Sequence, residues 1–184
     1  MMRTHMMAAV VAGAMMIGCG PSEVDYDEIY EAAQAGDPKA QYMLGLWRKT
    51  HVPSRTREAF EWFLKAAEGG EPNAMYQVAI CYNGSSEYET DYDEAEKWFT
   101  RTWLATGECV AVYQVLRIRC EGGHRPDELA CMKWLYVWHG ASCSGSNLDR
   151  SWDRLLDEQP RRLTAAQGVE AWRAAIPIIA RAQE

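Results

Sequence analysis

The sequence predicts an all-α fold, an α-solenoid of stacked antiparallel helix pairs closed by capping helices. Three observations predict it. First, Ala59, Trp62, Phe63, Ala66 and Ala67 recur 36 residues later as Ala95, Trp98, Phe99, Thr102 and Trp103, and 36 residues later again as Cys131, Trp134, Leu135, Trp138 and His139. Within each set the spacing is i, i+3, i+4, i+7, i+8, which is one face of an α-helix. Second, Gly36, Gly70 and Gly107 lie 34 and 37 residues apart, each followed at fixed offsets by Ala, Tyr and an aliphatic residue. Self-similarity at a fixed period of this size marks a repeat array. Third, 184 residues at 48% hydrophobic and 24% charged are enough to bury a core, which excludes a disordered or collagen-like chain.

The elements follow in order. Residues 1–18 read as a signal peptide: Arg3 precedes an uncharged stretch from Met6 to Gly18, too short to span a bilayer. Residues 25–35 form a capping helix in the position of the second, or B, helix of a pair. Three helix pairs, A then B, cover about 38–68, 72–105 and 109–140, with glycine at each B-to-A turn. Asp91 with Glu94 reads as a capping box for the second B helix, and Asp127 stands at the equivalent cap before the third. Gly145-Ser146-Asn147 makes a break, after which helices at about 148–158 and 164–181 close the array. Pro160 separates these two, Thr164 with Gln167 is a further capping box, and Pro177 is expected to kink or end the last helix. Each pair buries its apolar stripe only against its neighbours, so no unit is stable alone.

The junction Met16-Ile17-Gly18-Cys19 resembles the lipobox of bacterial lipoproteins, with Met16 where Leu is usual. The resemblance implies lipid on Cys19, a tether over residues 19–24, and attachment to the cell envelope, with Gly20 favouring the outer membrane. The folded chain is then 166 residues with a net charge of −8. Lipid would be the only contact with a membrane.

The pattern Ala40, Tyr42, Leu44, Gly45 and the pattern Ala59, Trp62, Phe63, Ala66, Ala67 resemble the Sel1-like repeats, relatives of the tetratricopeptide repeats. The resemblance spans residues 25–143, leaving 144–184 as C-terminal capping helices. The loop from Arg48 to Thr56 lacks the family's usual glycines, and Cys131 and His139 replace two alanines of the third B helix. By analogy with tetratricopeptide repeats, the A helices line a concave protein-binding groove. The matching positions are Tyr42, Leu46 and Lys49, then Tyr76, Ile80 and Asn83, then Tyr113 and Arg117. Tyrosine also fits the family's packing pattern at its position.

After Cys19 five cysteines remain, and an oxidising compartment favours pairing. Residues facing each other across the third helical hairpin share a midpoint in sequence. The midpoints of Cys120 with Cys131 and of Cys109 with Cys143 fall within one residue of each other, and Cys109 and Cys120 fall on one helix face. The expected bridges are Cys120–Cys131 and Cys109–Cys143, with Cys81 a buried thiol. The rival pairing joins Cys81 to the third unit. Zinc at Cys120, His124 and Cys131 is disfavoured, because no knuckle spacing is present.

The charge of −7 excludes a basic nucleic-acid footprint. No phosphate loop, zincin motif or nucleophile–base pattern appears, and no cofactor is implied. Gly140-Ala141-Ser142-Cys143-Ser144 lacks the second glycine of a nucleophile elbow. His51 and His124 fall in loops, and His139 on the buried stripe reads as a core histidine. Glu87, Glu89, Asp91 and Asp93 form an acidic run that is either a contact for a basic partner or a solvated helix start. The expectation is a non-enzymatic envelope lipoprotein that binds a protein or peptide. The alternatives are an envelope enzyme or a protein that binds cell wall or β-lactams, as the resemblance to cysteine-rich relatives implies, and a secreted effector or inhibitor using its acidic surface.

Overall fold

The computed structural model describes residues 24–52, 56–85, 89–121, 127–141, 143 and 163–182. The signal, Cys19, the tether as far as Glu23, Glu87, His124, Ser142, the break at 145–147, the expected helix at 148–158 and Pro160 lie outside them, and Val24, expected as the end of the tether, begins the first helix. Eight α-helices are present among the described residues: α1 (Val24–Gln34), α2 (Pro38–His51), α3 (Thr56–Glu68), α4 (Pro72–Ile80), α5 (Tyr92–Thr106), α6 (Cys109–Leu116), α7 (Glu128–Gly140) and α8 (Ala165–Arg181). Each packs on the next described helix, as an array of antiparallel hairpins must. The A helices are α2, α4 and α6, and the B helices are α3, α5 and α7.

Local chemistry sets the helix ends. Gly36, Gly70 and Gly107 adopt φ of 95°, 94° and 69°, the left-handed region that a side chain disfavours. Each turn hands over at once to a new helix. The Asp37 carboxylate accepts from the Ala40 N–H at 2.8 Å, and Asp127 accepts from the Ala130 N–H at 3.0 Å. The Thr164–Gln167 box forms in both directions. The Asp91–Glu94 box forms only by half. Asp91 accepts from the N–H groups of Asp93 and Glu94, but Glu94 turns to Lys97 at 2.6 Å and the Asp91 N–H donates to the Tyr82 carbonyl. Two features lie beyond the sequence pattern: α4 and α6 widen at their ends into π-type turns, Cys81–Ser85 and Arg117–Glu121. The last helix runs through Pro177 to Arg181.

The apolar stripes meet as expected in one continuous core. Ala59, Phe63, Ala66 and Ala67 are buried, followed by Ala95, Trp98, Phe99, Thr102 and Trp103, then Cys131, Trp134, Leu135 and Trp138. Thr102 is tolerated there because its hydroxyl donates to the Trp98 carbonyl at 3.0 Å. A smaller cluster of Ala33, Ala40 and Leu44 seals α1 onto the array, with Trp62 partly buried against it. His139 departs from the expectation: it is exposed rather than a core histidine. Its neighbour Gly140 takes the close contact with α8, where an added Cβ would meet Ile179 at 2.5 Å. In the last turn of α7, His139 is left at the edge, near carbonyls that favour a basic group.

Gly45 has a similar packing reason, since a Cβ there would meet the Phe63 ring at 2.7 Å and the Ala59 carbonyl at 3.2 Å. Gly45→Ala is expected to destabilise by about 1–3 kcal/mol through overpacking. A urea unfolding midpoint equal to wild type would show that the ring yields freely.

Both expected disulfides are present. Cys109 joins Cys143 with Cα atoms 5.5 Å apart, and Cys120 joins Cys131 with Cα atoms 5.1 Å apart. Cys81 is buried and lies outside both bridges. In the native protein Cys81 is expected to resist iodoacetamide and to label only on unfolding. Rapid labelling of the folded chain would contradict this.

Candidate functional site

The A helices present the expected groove positions in register. Tyr42, Leu46, Tyr76, Ile80 and Tyr113 are half-buried against the core, and Asn83 is half-buried in the first π-type turn. Lys49 and Arg117 are exposed. Packing accounts for much of the tyrosine ladder. The Tyr42 ring lies 6.0 Å from Phe63, and the Tyr76 ring meets Phe99 edge-on at 5.4 Å. Burial, and secondarily the nearby Glu71 carboxylate, pushes the Tyr42 phenol up from its usual range. Polar groups tie successive A helices together. Lys49 donates to Gln77 at 3.2 Å, and Gln114 donates to the Tyr76 hydroxyl at 3.2 Å. Arg117 lies 3.9 Å from Glu121 of its own turn.

Between these helices is a cavity of about 250 Å³. Tyr42, Asn73, Tyr76 and Gln77 line it together with Thr106 and Val110, so it spans α2, α4, the end of α5 and α6. Of the eight groove positions, the structure brings Tyr42 and Tyr76 into this cavity.

The acidic run is largely used within the chain. Asp91 caps α5, and Glu89 is exposed. Asp93 accepts from Arg119, whose hydrogen bond and charge hold its carboxyl below the usual range. Glu96, beyond the run, accepts from Arg119, from Lys133 and from the Trp134 indole at 2.9 Å. One acid on α5 thereby gathers the π-type turn of α6 and the body of α7. The sequence gives no signal for this, because the three partners lie 23 to 38 residues away.

Sequence periodicity also misses an apolar face on α8. Val169, Trp172 and Ile176 are exposed there, and Val169 and Trp172 border a cavity of about 450 Å³ with Met132 and Tyr136 of α7.

Known proteins share this architecture. The Sel1 repeat model matches residues 38–71 and 72–102. The third helix pair, where Cys131 and His139 replace alanines, lies beyond those matches. An F-box protein of Arabidopsis thaliana is 32% identical over 89 residues, 48% of this chain, and the chain spans only a quarter of that protein's length. Two crystal structures have similar folds. One is a protective antigen present in uropathogenic Escherichia coli strains, with an SLR fold. It superposes with a TM-score of 0.59 at 24% identity, covering 84% of this chain and 32% of that one. The other is a Sel1 repeat protein from Oxalobacter formigenes, with a TM-score of 0.52 at 25% identity, covering 73% of this chain and 98% of that one. The twice-matched repeat, the hairpin array and the glycine turns together identify residues 38–102 as two Sel1 repeats and give the described residues the fold of Sel1 repeat proteins.

Proposed function

We propose that the protein is a non-enzymatic binding module, held at a bacterial envelope by lipid on Cys19, that holds a protein or peptide partner along its A-helix face. The observation that carries the binding face is the cavity shared by α2, α4, α5 and α6, where two half-buried tyrosines stand beside Asn73 and Gln77. Rigid rings next to adaptable amides suit an interface. The acidic run supports a partner contact less well, because Asp91 and Asp93 already have bonds within the chain.

Two measurements test this. A photo-crosslinking amino acid at Gln77 is expected to give discrete adducts in intact cells, and the same probe at exposed Glu61 of α3 is not. Identical adduct patterns from both positions would sink the groove assignment. Separately, Cys19→Ser is expected to move the protein from the membrane fraction to the soluble fraction and to abolish palmitate labelling. Retention of the variant in the membrane would remove the anchor from the proposal.

A further inference from the structure

Helices α5, α7 and α8 border a separate open cleft of about 490 Å³, built from B helices and the closing helix rather than from A helices. Trp98, Leu104, Trp134 and Ile178 supply apolar wall, and Arg101 and Arg181 stand at its edge. Two carboxylates also border it, but their charges are already balanced. Glu94 pairs with Lys97 at 2.6 Å, and Glu96 pairs with Arg119 and Lys133. Neither arginine has a carboxylate partner among the described residues. The Arg101 guanidinium lies 4.4 Å from the Trp98 ring centroid. Resting on a ring face orients the fork without consuming any of its N–H donors. Arg181 occupies the last turn of α8. Two guanidinium groups with no carboxylate partner among the described residues thus stand beside an apolar wall on a chain of net charge −7.

That combination selects for chemistry. Guanidinium forks take carboxylates in paired hydrogen bonds, and the wall beside them needs an apolar group attached close to the charge. A polypeptide's last residue supplies both on one carbon, and a cavity of this volume lies within the range of small ligand sites. We propose that this cavity binds the C-terminal residue of a polypeptide, with its carboxylate on Arg101 and Arg181 and an apolar side chain against Leu104 and Ile178. The site stands independently of the A-helix face and adds a second point of attachment for a partner.

Calorimetry on residues 19–184 tests it with four probes: N-acetyl-Ala-Leu, its C-terminal amide, octanoate and inorganic phosphate. The free acid is expected to bind, and the amide to bind at least tenfold more weakly. Arg101→Met and Arg181→Met are each expected to weaken the acid by roughly tenfold. Both residues are exposed, so the melting temperature should hold within about 2 °C. Equal binding of acid and amide, no binding of the acid, or unchanged affinity in both arginine variants would overturn the proposal. Octanoate or phosphate binding as tightly as the peptide acid would overturn the peptide assignment, leaving a general anion site.

Discussion

Glu96→Gln is expected to destabilise the protein by about 2–3 kcal/mol at neutral pH, a fall in melting temperature of roughly 4–12 °C for a chain of this size. Glu96 is 14% exposed, and its two basic partners, Arg119 and Lys133, are 17% and 20% exposed. Breaking a wholly buried pair costs about 3–5 kcal/mol. The smaller figure applies because both cations keep some water and Arg119 retains Asp93. Burial by itself pushes the Glu96 carboxyl up. The Lys133 hydrogen bond and charge, the Trp134 indole and the Arg119 charge reverse that and hold it below its usual value of 4.5. The sign of the pH dependence follows. The folded chain binds fewer protons at Glu96 than the unfolded chain, so the carboxylate's contribution is complete above about pH 4.5 and lost as pH falls through the lower folded value. Wild type and Glu96→Gln should therefore differ most near pH 7 and converge as the pH falls below 4.5. A gap in thermal midpoint that does not change with pH would show that shape rather than charge matters at this position.

What the sequence reveals and what it hides divide along a physical line. Helix positions follow from a stripe with period 3.6 and from glycine turns, both local signals. The helix pairs at 38–68, 72–105 and 109–140 accordingly match the observed elements closely. The disulfides were legible for a related reason, since a hairpin of known hinge converts sequence separation into distance. His139 shows where the ruler fails. Its position in the stripe is correct, but the described helix packed on α7 is the closing helix α8, and the contact passes to Gly140 and Ile179. The Glu96 network was hidden because its three partners come from two other elements, the π-type turn and α7, whose facing is settled only by packing. The arginine-edged cavity was hidden likewise, since Arg101 and Arg181 lie 80 residues apart and read as ordinary surface charges. The groove tyrosines sit between these cases. The pattern places them on the A helices, where Tyr42 and Tyr76, half-buried, pack against Phe63 and Phe99, so that one side chain faces both core and surface.

Removing the Cys109–Cys143 bridge by paired substitution to alanine is expected to cost about 4 kcal/mol, and removing Cys120–Cys131 about 3 kcal/mol. The difference comes from the unfolded chain. The first bridge closes a loop with a separation of 34 residues and the second one of 11, so the longer loop loses more freedom when crosslinked. The first also ties down the end of the array, joining the start of α6 to a buried Cys143 just beyond α7. The second pins the π-type turn that carries Arg119 to the start of α7, a few residues from Lys133. Its loss should therefore loosen the Glu96 network as well, whereas the longer bridge acts at the far end of the hairpin. Combining Glu96→Gln with each cysteine pair separates the two effects. Additive losses are expected with the Cys109–Cys143 pair, and less-than-additive losses with the Cys120–Cys131 pair. Urea unfolding of the single and combined variants measures this directly. Full additivity in both cycles would mean that the inner bridge and the charge network hold the hairpin independently.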